Sequence, residues 1–168
     1  MASNYLTMKV KDMNSTVSRI IVSASSLAPI IDNAVKTKLN FLVWAEQDFE
    51  LYDGMIESVE KAGFHVVAIR NSSDINYELF NIEHSIKSAK QSGQKVAVFF
   101  NDIHRYEPVY LRFIMQALCD KVIGEATLDA DDVICATSAQ TSNPVERHVP
   151  SNMMIPILNR FCNFRFKG

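Results

Sequence analysis

The chain has 168 residues, 48% apolar and 21% charged, with a formal net charge of −2 and a sequence pI of about 6.1. That is the length of one domain with enough apolar material to bury a core, and it excludes a disordered chain. An acidic molecule has no overall field to attract nucleic acid, so such binding would need a local basic patch.

Residues 1–16 are polar and unpatterned, and residues 1–24 read as an N-terminal arm ahead of a single domain at 25–168. Within the arm, Val17–Ala24 fits a strand or a helix equally well. Pro29–Lys36 predicts a short helix with Pro29 in its first turn. Asn40–Trp44 is a compact apolar run, the signature of a strand buried on both faces. Asp48 can cap a helix with an apolar face of Phe49, Tyr52, Ile56 and Val59, which Gly63 stops. Phe64–Ile69 predicts a second strand, and Leu79, Ile82, Ile86 and Ala89 a helix closed by Gly93. Lys95–Phe100 is a third strand, followed by a helix marked by Leu111, Ile114, Met115 and Leu118. A turn at Lys121–Leu128 leads to a fourth strand at Asp132–Thr137. A short helix at 151–159 and a strand at Cys162–Phe166 complete the series.

Strands alternating with helices of this length mean an α/β fold, a parallel sheet with helices on both faces. The three cysteines, Cys119, Cys135 and Cys162, form no CxxC pair, which argues against a zinc site or a disulfide framework. Cys119 and Cys135 lie in apolar periodic stretches and are expected to be buried thiols. No stretch approaches the roughly 20 apolar residues that span a bilayer, and no signal-peptide layout is present. A cytoplasmic location, with no membrane partner, is expected.

In open parallel sheets, function sits at the carboxyl ends of the strands. Val96–Arg105, VAVFFNDIHR, resembles the Walker B strand of AAA-plus ATPases, an apolar run that ends in Asp-Glu. Leu128–Gln140 resembles the sensor strand that follows it, and Ile155–Phe161 the segment bearing that family's arginine finger. With the turn at Lys121–Leu128, the match is closest to the MoxR-like and chelatase-like branch, over roughly residues 25–168. The resemblance implies a P-loop NTPase-like core, and the chain stops where a helical lid subdomain would follow, so the lid is expected to be absent.

Set against the family, the nucleotide site is degenerate. The phosphate-cradling loop should read G-x-x-x-x-G-K-[ST]. This chain has Ala45-Glu46-Gln47-Asp48-Phe49-Glu50-Leu51-Tyr52 in its place. Glycines let backbone N–H groups curl around phosphates, and the lysine neutralises their charge. Here Glu46, Asp48 and Glu50 would each repel a triphosphate by roughly 1–4 kcal/mol at close range. Asn101 stands where the family's magnesium-holding Asp is found, and a neutral amide serves a hard cation poorly. Asp102 replaces the Glu that orients water, and Ser138 or Ala139 falls at the sensor Asn. Arg160, at the arginine-finger position, is retained. No ATP hydrolysis, catalytic residue, metal or cofactor is expected.

A core that has lost its chemistry implies binding. The first expectation is single-stranded nucleic acid, in a transcription or replication assembly. Cations interleaved with rings suit stacked bases and their phosphates. One such patch contains His104, Arg105, Tyr106, Tyr110 and Arg112, and another contains Arg147, Arg160, Phe161, Phe164, Arg165, Phe166 and Lys167. The same three phenylalanines also suit the core beside the last strand. The second expectation is a protein-interaction subunit or inhibitor that docks on a partner ATPase or polymerase, with Arg160 at the interface and self-association into oligomers. The third, an enzyme using Asp102 and His104, lacks a nucleophile or ligand set beside them.

Overall fold

The computed structural model describes residues 7–8, 19–45, 49–69, 75–139 and 151–167. In chain order the elements are β1 (Thr7–Met8), β2 (Arg19–Ser23), α1 (Ala24–Lys36), β3 (Phe41–Ala45), α2 (Phe49–Lys61), β4 (Phe64–Ile69) and α3 (Ile75–Gln91). Then come β5 (Lys95–Phe100), a 3₁₀ turn (Ile103–Arg105), α4 (Pro108–Asp120), β6 (Val122–Ile123), β7 (Ala126–Thr127), β8 (Val133–Ala139), α5 (Ser151–Leu158) and β9 (Cys162–Lys167).

The main sheet runs β1-β2-β9-β3-β8-β5-β4, with every neighbouring pair parallel except β1 on β2. Side chains alternate across each strand, so each apolar strand feeds two cores. Leu42, Trp44, Val98, Phe100, Ile134 and Ala136 face α3, α4 and α5, whereas Phe41, Val43, Ala97, Phe99, Val133 and Cys135 face α1 and α2. Moves along the sheet in one direction, β2 to β3 and β3 to β4, use the helices of one face. Moves the other way, β4 to β5, β5 to β8 and β8 to β9, use those of the other. A uniform crossover hand requires this division.

Two sequence expectations change at the N-terminus. Residues 19–23, assigned from sequence to the arm, form β2 and pair with β9 from Ile20↔Phe164 to Ser23↔Lys167. Helix α1 starts at Ala24, so Pro29 lies inside it rather than in its first turn. Ser26 Oγ accepts the Ser23 N–H at 3.0 Å and so satisfies a donor at the true start. The N–H that Pro29 lacks would have bonded to Ser25, which is exposed, so water can serve that carbonyl.

Cys135 is fully buried, and burial pushes its thiol well above the ordinary range. Cys119 is exposed, against expectation, because α4 buries Tyr110, Leu111, Ile114 and Ala117 and turns position 119 outward. At the amino edge of the sheet, the fully buried Asp132 forms an ion pair with Lys90 and accepts N–H groups from Val96 at 2.7 Å and Asp129 at 2.6 Å. Asn163 joins the last two elements to the centre. Its Oδ1 accepts the Trp44 indole N–H at 2.9 Å, while its Nδ2 donates to the Leu158 and Phe161 carbonyls.

Candidate functional site

A crevice opens in a parallel sheet where neighbouring strands send their connections in opposite directions. Here those neighbours are β3, which leads to α2 on one face, and β8, which leads to α5 on the other. Their paired carboxyl ends, Trp44↔Ser138 and Ala45↔Ala139, form the floor, with the end of β5 alongside. Asn101 and Asp102 follow the end of β5, and Ser138 lies near the end of β8.

Asn101 and Thr137 lie on the α1–α2 face by strand alternation, one step beyond the Phe100↔Ala136 pair. The Thr137 hydroxyl donates to Asn101 Oδ1 at 2.5 Å and accepts the Asp102 N–H at 2.9 Å. This clamp holds Asp102 in the left-handed region, at φ 53° and ψ 50°, a conformation that Asp tolerates better than most residues. The family resemblance points to Ser138 and Ala139 and does not single out Thr137. The period-two alternation, which puts Thr137 on the face of Asn101, was the available signal. Ser138 is buried on the opposite face.

Tyr52, in the last position of the loop motif, is half-buried with its ring edge-on to Phe99 at 5.2 Å. Glu50 lies in the first turn of α2, and Glu46 and Asp48 lie outside the described residues.

The expected nucleic-acid residues divide. Tyr106 does not offer a ring for stacking: it is 1% exposed, and its hydroxyl donates to the Ile69 carbonyl at 2.9 Å. Phe100 and Tyr110 pack edge-on around it, and burial, helped by the Glu78 charge, pushes its phenol far above the ordinary value. Tyr110, Phe161 and Phe164 are also buried. A chain leaving the end of β5 must turn back over the sheet, and apolar rings fill that turn. Arg105 and Arg112 are exposed, near the start of α4. Arg165, half-buried, lies on β9. Two strands separate β9 from β5, a distance of roughly 14 Å at about 4.8 Å per strand. Lys167 ends β9, and Arg147 lies outside the described residues. Arg160 is exposed in the turn after α5, with its guanidinium donating to the Pro156 carbonyl at 2.7 Å. Among the described residues, no group of three His, Cys, Asp or Glu side chains could hold a metal.

The architecture matches solved structures. A single-residue mutant of Thermotoga maritima RuvB superposes with a TM-score of 0.51 at 13% identity, over 83% of this chain and 42% of that one. A DNA polymerase III gamma subunit-related protein of Thermotoga maritima gives 0.51 at 14%, over 84% of this chain and 45% of that one. The fold is that of an AAA-plus P-loop core. This chain spans less than half the length of either AAA-plus structure. No protein-family model and no curated protein matches its sequence. No described helix is long and apolar enough to cross a membrane.

Proposed function

We propose that this chain is a non-catalytic AAA-plus-like module, a pseudo-ATPase that acts by binding a protein assembly. The observation that carries this is the use of Asn101 and Tyr52 in the chain's own packing. The amide oxygen at the magnesium position takes the Thr137 hydroxyl, and the ring at the loop's Ser/Thr position packs on Phe99. The acidic Glu46, Asp48 and Glu50, with no lysine between them, support the same reading. Its segment order still resembles the MoxR-like and chelatase-like branch most closely.

A protein partner, such as a polymerase or ATPase assembly, is supported over nucleic acid by the burial of Tyr106 and Tyr110, which removes the rings from the first basic patch. Likeness in fold to a polymerase subunit-related protein agrees with such a setting. Arg105 and Arg112, both exposed, keep single-stranded nucleic acid as the second reading. Calorimetry with magnesium-ATP is expected to show no binding tighter than about 1 mM, and micromolar binding would overturn the pseudo-ATPase reading. Anisotropy with single-stranded and duplex probes at two salt concentrations separates the partner classes. Salt-sensitive binding that prefers single strands and is lost in Arg105→Ala/Arg112→Ala favours the second reading over the first.

A further inference from the structure

We draw no further inference here: the strongest candidate, the open apolar groove of about 570 Å³ that runs beside α1 over β2 and β9 and is lined by Ile20, Pro29, Ile30, Leu39 and Phe164, carries none because nothing in the structure shows what covers it.

Discussion

Asp132 illustrates how much one side chain can decide. It is fully buried, yet its carboxylate meets an ammonium and two backbone N–H groups, so the cost of removing it from water is offset. Burial by itself pushes Lys90 down, but the hydrogen bonds and charges of Asp132 and Asp129 outweigh it and the net shift is upward. Asp132→Asn removes the charge and directs an amide donor at neighbours that are themselves donors. The expected loss is roughly 3–5 kcal/mol, read as a lower urea midpoint at unchanged slope. A change below about 1 kcal/mol would mean that the pair is not coupled to folding.

At the scale of the element, the β6–β7 hairpin depends on a glycine. Gly124 has φ +58°, and a Cβ placed there would lie 1.7 Å from Glu83 Oε1. That oxygen accepts the Glu125 N–H at 3.1 Å and so joins the hairpin tip to α3. Gly124→Ala must hold a left-handed conformation and displace the Glu83 carboxylate, for an expected cost of about 1–2 kcal/mol. Faster amide exchange at Glu125, without loss of the protection in β5 and β8, would locate the effect. Uniform loss of protection would contradict it. The flanks of this hairpin were legible only as a turn, because two-residue strands carry no periodicity to detect.

For the whole molecule, the buried groups predict a loss of stability at alkaline pH. The folded-state values of Tyr106 and Lys90 are both raised above their unfolded values. A raised group contributes fully below its unfolded value, about pH 10 for both, and its contribution falls as pH rises through the folded value. Lys121, lowered by burial, acts in the opposite sense but is only half-buried, so its effect is smaller. Stability from pH 7 to 9 should therefore be insensitive to these groups, with a decline above about pH 10 that Tyr106→Phe makes shallower. An identical alkaline decline in Tyr106→Phe would exclude the phenol as a cause.

The order of the main strands and helices could be read directly from the sequence. The apolar run at 41–44 and the helical spacing at 82, 86 and 89 report burial because each element repeats its own period against a common core. The chemistry of the residues from Ala45 to Tyr52 is likewise a property of the letters themselves. What periodicity does not contain is contact between distant segments. Only the tertiary structure joins β2 to β9, ties Thr137 to Asn101, and folds Tyr106 inward while leaving Tyr77 and Phe80 outside. A tyrosine beside arginines has the same local signature whether its ring faces water or the Ile69 carbonyl. Which it meets is decided by how the strand ends pack, and that depends on residues far away along the chain.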